Sequence, residues 1–128
     1  MAAQSDVTSL SLGLLIYDLL SASDSVAEAG CRSVFPVVSE ADAQLPYICY
    51  RRSSVETVAV KGHQGPDSAL IEVICYASTY AQSIALAEAV RSTLDGYSGP
   101  GASILLSDSA EAWNDDAYEQ LLTFVIRC

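Results

Sequence analysis

The sequence predicts an α+β fold: a mixed, mostly antiparallel sheet of four to five strands with helices on one face, in the order α-β-β-β-α-β-β. Three observations predict it. The run Ala69 to Gly96 reads as an apolar strand, a capped turn and a helix. An earlier leucine-rich stretch repeats at helical spacing, and the last 27 residues alternate like a hairpin. Length adds a bound, because 128 residues form one domain, 1–128, able to bury roughly two-thirds of its unfolded surface.

Residues 1 to 7 are small and polar. A helix is expected from Thr8 or Ser9, where Leu12, Leu15, Ile16, Leu19 and Leu20 form one stripe that Leu14 and Tyr17 widen, so that most of its girth is buried. Gly13 lowers its propensity and suggests a close approach of another backbone. Asp24 or Ser25 can cap a short turn that Gly30 stops. Val34 to Val38 is apolar but holds Pro36, which lacks a ladder donor and confines the segment to a sheet edge or an entry loop.

A long strand then runs from Ile48 to Val60, core-like first and polar later, as a strand leaving the core or an exposed edge would read. Lys61 to Asp67 is a Gly/Pro-rich tip. In Ala69 to Tyr76 both faces are apolar except at Glu72. Thr79 and Gln82 fit a capping box, since each side chain can satisfy a backbone N–H that the first turn leaves unpaired. Tyr80, Ile84, Ala87, Val90 and Leu94 then share a face, and Gly96 ends the helix. Tyr97 to Gly101 is a loop. Ala102 begins a strand that reaches toward Trp113, Asn114-Asp115-Asp116 turns the chain, and Tyr118 to Cys128 alternates back.

Composition excludes several functions. With 16 acidic against 6 basic residues the net charge is −10, and only Arg51 and Arg52 are adjacent cations, so binding to nucleic-acid backbones or anionic membranes is disfavoured. No segment has the apolar length of a membrane span, and the start lacks the cations of an export signal, which points to a cytosolic protein. Cys31, Cys49, Cys75 and Cys128 have no metal-ligand spacing and are read as reduced thiols, Cys49 and Cys75 as small core residues. The one histidine, His63, falls in the Gly/Pro-rich tip and reads as solvated. Asp115 and Asp116 make a turn, not a cation site. Neither glycine loop leads from a strand into a helix with a lysine in place, so neither is a phosphate loop. No catalytic, cofactor or metal site is predicted. Arg51 and Arg52 fit a protein interface, where arginine is enriched. From the residues alone the function does not follow.

A pattern of residues nonetheless carries a resemblance. Ile16-Tyr17-Asp18-Leu19-Leu20-Ser21, Val34-Phe35-Pro36, Leu45-Pro46-Tyr47-Ile48-Cys49-Tyr50, Tyr76-Ala77-Ser78-Thr79-Tyr80, Ala85 to Val90 and Leu94-Asp95-Gly96, in that order, resemble the tail completion family of tailed bacteriophages. These are tail terminator or tail-to-head joining proteins, found also in prophages and gene transfer agents. The resemblance covers roughly residues 8 to 128. It implies a structural virion protein and no enzyme, placed at the head–tail junction and assembled in the host bacterial cytoplasm. Such a protein forms a homo-hexameric ring that caps the tail tube protein, ends its polymerisation and meets the head–tail connector, while genome DNA passes through without specific binding. Partner contacts are then expected at Arg51 and Arg52 and at the tip residues Lys61, Gly62, His63 and Gln64, the longest polar projection. Two other readings compete: a head-closure or connector protein, and a cytosolic module binding a small ligand.

Overall fold

The structure is a computed structural model and describes residues 8–57, 59–60, 63–64, 67–99 and 101–128, with backbone alone at 59, 60, 63 and 64. Its helices are α1 (Leu12–Ser21), α2 (Asp24–Glu28) and α3 (Tyr80–Leu94). Its strands are β1 (Ser33–Pro36), β2 (Tyr47–Glu56), β3 (Ala59–Val60), β4 (His63–Gln64), β5 (Ser68–Ala77), β6 (Ser98–Gly99), β7 (Ala102–Asn114) and β8 (Ala117–Arg127). Six strands form one sheet in the order β1-β2-β5-β8-β7-β6, and β3 and β4 pair only with each other. The expected four to five strands are therefore too few. The additions are β6 and the β3/β4 pair, two-residue strands that exist only through their partners and leave no periodicity to read.

Every neighbour in the large sheet is antiparallel except β1 and β2, which are parallel. One face of the sheet carries the core. Along β5 burial alternates, with Ala69, Ile71, Val73, Cys75 and Ala77 buried and the residues between them half-buried. Helix α1 packs against β1 and β2, and α3 against β5, β7 and β8. Ile16, Ile48, Leu86, Val90, Ile104 and Phe124, all at 0% exposure, fill the space between. The helices lie on one face, as the alternation requires.

The helix faces differ from expectation. Helix α1 starts at Leu12, after a turn held by Ser11 N–H donating to the Thr8 carbonyl at 3.1 Å. It buries Leu12, Ile16 and Leu20, while Leu14 and Tyr17 stay in solvent instead of widening the stripe. Gly13 meets no other backbone, since a Cβ built there has only the Tyr50 ring at 3.8 Å. Helix α3 is turned relative to the expected stripe. It buries Ser83, Leu86, Ala89, Val90 and Leu94, and Tyr80 is exposed. So many of its positions are alanine that apolar spacing does not single out one face.

The punctuation is local and follows expectation. Thr79 accepts the Gln82 N–H at 3.2 Å, the first half of the capping box. Gly96 has φ +85°, which an L side chain adopts only under strain. Asp115 and Asp116 sit at φ 52° and 62°, the mirror-image turn whose twist suits a tight hairpin. The β7/β8 hairpin has the extent the sequence suggested, with β7 continuing through the polar stretch to Asn114.

Candidate interaction surfaces

The long second strand stops short of its expected end. Residues Arg51 to Glu56 stay paired with β5 down to Glu56 opposite Ser68, so β2 belongs to the sheet throughout and does not project from it. The projection is the separate pair β3/β4, where Val60 faces His63 and Ala59 faces Gln64. His63 and Gln64 are therefore strand residues of the tip rather than loop residues, and Lys61 and Gly62 lie outside the described residues.

Arg51 and Arg52 point to opposite faces of β2. The Arg51 Nε donates to Glu72 Oε1 at 2.9 Å on the face without helices. With more than half the Arg51 side chain in water, such a pair contributes little to stability. On the helix side the Arg52 Nη1 donates to the carbonyls of Ser9 at 3.0 Å and Leu10 at 3.2 Å, tying down the entry to α1. Both lie on the margin of the sheet, because β1 covers β2 only as far as Pro36 opposite Tyr50.

What ends β1 is a strained residue. The Val37 N–H still donates to the Tyr50 carbonyl at 2.7 Å, but Val37 has φ 69°. A β-branched side chain in the left-handed region costs roughly 1–3 kcal/mol and turns the chain away from β2. Val37 and Val38 are consequently exposed. Val37, with Leu10 and Leu14 of the α1 region, also exposed, lines an open, largely apolar groove of about 1270 Å³ between α1 and the β1 margin. Its three arginines are engaged within the fold: Arg32 Nε donates to the Leu45 carbonyl at 2.9 Å, and the guanidiniums of Arg51 and Arg52 are bound as described. A small-ligand site needs polar groups aimed at the ligand.

The opposite margin belongs to β7. Its first residues are covered: Ile104 exchanges bonds with Tyr97 and Gly96, and the Asp95 carboxylate accepts the Leu106 N–H at 2.9 Å. That bond, with a weaker one from Arg91, holds the Asp95 carboxyl below its usual range. From Ser107 to Asn114 all side chains are exposed. The Glu111 carboxylate accepts the Tyr80 hydroxyl at 2.7 Å and the Gln120 amide at 3.0 Å, and these bonds lower its pKa. Gln120 is buried and also donates to Ser83 Oγ at 3.2 Å, so this network fastens α3 to β7 and β8.

The face of the sheet away from the helices is apolar in part. Phe35, Tyr47 and Tyr76 make a row across three strands, Phe35 edge-on to Tyr47 with ring centroids 5.7 Å apart and Tyr47 stacked on Tyr76 at 4.7 Å, and Leu70, Ile74, Leu121 and Val125 are only half-buried. Cys49 lies on this side, its thiol donating to the Val37 carbonyl at 3.3 Å, whereas Cys75 is in the core, where burial raises its pKa above the usual thiol value. Among the described residues no group of three or more His, Cys, Asp and Glu side chains is placed to hold a metal, and no helix is long and apolar enough to cross a membrane.

In the sequence the two adjacent cations single out Arg51 and Arg52, whereas nothing singles out the β7 margin as a surface. The signal there was the alternation of Asp108, Ala110 and Ala112 with Ser109, Glu111 and Trp113, polar enough to hide a strand. The sequence matches no family model and no curated protein. Among solved structures, a chain from the virion of a native gene transfer agent particle is similar, with a TM-score of 0.80 and 17% identity over 96% of this chain and 98% of that one. The two chains thus share one fold from end to end.

Proposed function

We propose that the chain is a structural virion protein of a tailed phage or phage-like particle that caps the tail tube as a hexameric ring, ends tube growth and joins the tail to the head connector. The observation that carries this reading is the end-to-end correspondence of fold with a gene transfer agent virion chain, which agrees with the resemblance of the sequence to the tail completion family. The surfaces suit an assembly protein: an apolar open groove, exposed aromatic and aliphatic side chains, and charged groups spent on holding the fold together. The β3/β4 tip with Lys61, Gly62, His63 and Gln64 contacts the tube, and the margin with Arg51 and Arg52 contacts a neighbouring subunit. The net charge of −10, repeated around a ring, keeps DNA phosphates from sticking as the genome passes. Acidic side chains turned outward in the assembled ring would remove that last point.

The test is electron microscopy of particles assembled without this chain, scoring tail length and head attachment. Overlong tails, or tails and filled heads that never join, are expected. Normal joined particles would overturn the proposal.

A further inference from the structure

The sheet has two open margins at its opposite sides, and they differ in charge. On one, Arg51 to Glu56 pair with β5 and, among the described residues, with no strand on the other side. On the other, Asp108 to Asn114 pair with β8 alone. Each open segment begins beside a register shift, at Arg52/Ser54 in β2 and at Leu106/Asp108 in β7, where a bulge re-aims the edge. The β2 margin carries Arg51 and Arg52, two of the chain's six cations, and ends in Glu56, while the open part of β7 carries Asp108 and Glu111, with Asp115 and Asp116 at its turn.

We infer that these margins are the two halves of one contact, in which β7 of one copy pairs with β2 of the next and the sheet runs on from copy to copy. The inference rests on the ring reading above and supplies its subunit interface. Strand direction allows it. Because β2, β5, β8 and β7 alternate, the next copy's β2 in the same orientation arrives antiparallel to β7 and the alternation is unbroken. Symmetry selects it over the self-pairings, since β7 on β7 and β2 on β2 are two-fold contacts, whereas β7 on β2 is the head-to-tail contact that a ring of equivalent subunits requires.

The stagger of the two margins decides whether such a sheet closes. Arg51, Glu72, Thr123 and Asp108 form one row across the four strands. From that row the open part of β2 runs one way along the sheet and the open part of β7 runs the other. Their midpoints are about five to six residues apart, roughly 18 Å at the rise of a strand, while four strands span about 19 Å. A shift nearly equal to the width tilts the strands by roughly 45° from the assembly axis, close to the 35–45° at which sheets close on themselves. A head-to-tail contact of this kind makes a ring when the rotation closes.

The test places Ser53→Cys in β2 and either Ala110→Cys or Ala112→Cys in β7 of the same chain, oxidises both purified protein and particles, and resolves them on non-reducing gels. A ladder of covalent multimers above the background of the native cysteines is expected, absent from each single variant. No ladder in protein or in normally assembled particles overturns edge pairing and leaves the tail reading standing. A ladder in purified protein upholds edge pairing even if heads and tails join without the chain, which overturns only the tail reading.

Discussion

Gly13 and Gly30 are both glycines near helices, and the structure assigns them opposite responses to a methyl group. At Gly13, inside the first turn of α1, a Cβ meets only the Tyr50 ring, at an ordinary contact distance of 3.8 Å. Replacing it with alanine removes the backbone entropy that glycine loses in a helix, about 0.5–1 kcal/mol in favour of the folded state. At Gly30, φ is +96° and the Cβ would lie 3.0 Å from the Gln82 amide nitrogen. The amide can move, but the left-handed backbone costs alanine roughly 1–2 kcal/mol. A chain of this length has an unfolding entropy of about 0.27 kcal/mol per kelvin, so each kcal/mol shifts Tm by about 4 °C. Gly13→Ala should melt about 2–4 °C above the parent and Gly30→Ala about 4–8 °C below it, measured by circular dichroism at fixed concentration. A Gly13→Ala variant that melts several degrees lower would mean that α1 needs the missing side chain, as a close backbone approach would require, and would refute the packing described for α1 against β2.

The remaining expectations concern three side-chain contacts and the tip. Tyr50 is buried and its hydroxyl donates to the Gly13 carbonyl at 2.8 Å, so Tyr50→Phe should cost about 1 kcal/mol in urea unfolding. Burial, followed by the neighbouring Tyr17, pushes that phenol up to about 12. Its contribution is therefore complete below the ordinary value near 10 and lost as pH rises toward 12, and the gap between parent and variant should shrink over that window. The Glu111 carboxyl is depressed first by the Tyr80 hydroxyl and then by Gln120, so its contribution is present above the ordinary value of 4.5 and lost as pH falls through its folded value. Tyr80→Phe should accordingly destabilise at neutral pH and differ less from the parent below about pH 4 in acid titrations followed by fluorescence. Deleting Gly62 to Pro66 should leave Tm nearly unchanged, because β3 and β4 pair with no strand of the large sheet, and should abolish capping of tail tubes; tails of normal length would remove the tip from the contact.

What was legible in the sequence is what is decided locally. Thr79 before α3, Gly96 after it and the paired aspartates at the β7/β8 turn each announce themselves, because a cap or a positive φ is chosen by the residue that adopts it. Pro36 likewise confined its segment to a sheet edge or an entry loop, and the structure makes it the edge strand β1. The face of α3 was not legible, since Ala81, Ala85, Ala87 and Ala89 blur the apolar stripe and only the sheet beneath decides that Ser83 and Leu86 turn inward. The arginine margin was visible in an acidic chain because two adjacent cations stand out there. The β7 margin was hidden for a related physical reason: a strand bonded on one side and in water on both faces needs no apolar alternation, and its ladder with β8 holds it in place. The polar stretch that reads least like a strand is thus one with an edge to offer a neighbour, since its ladder with β8 leaves the strand's other side unpaired among the described residues.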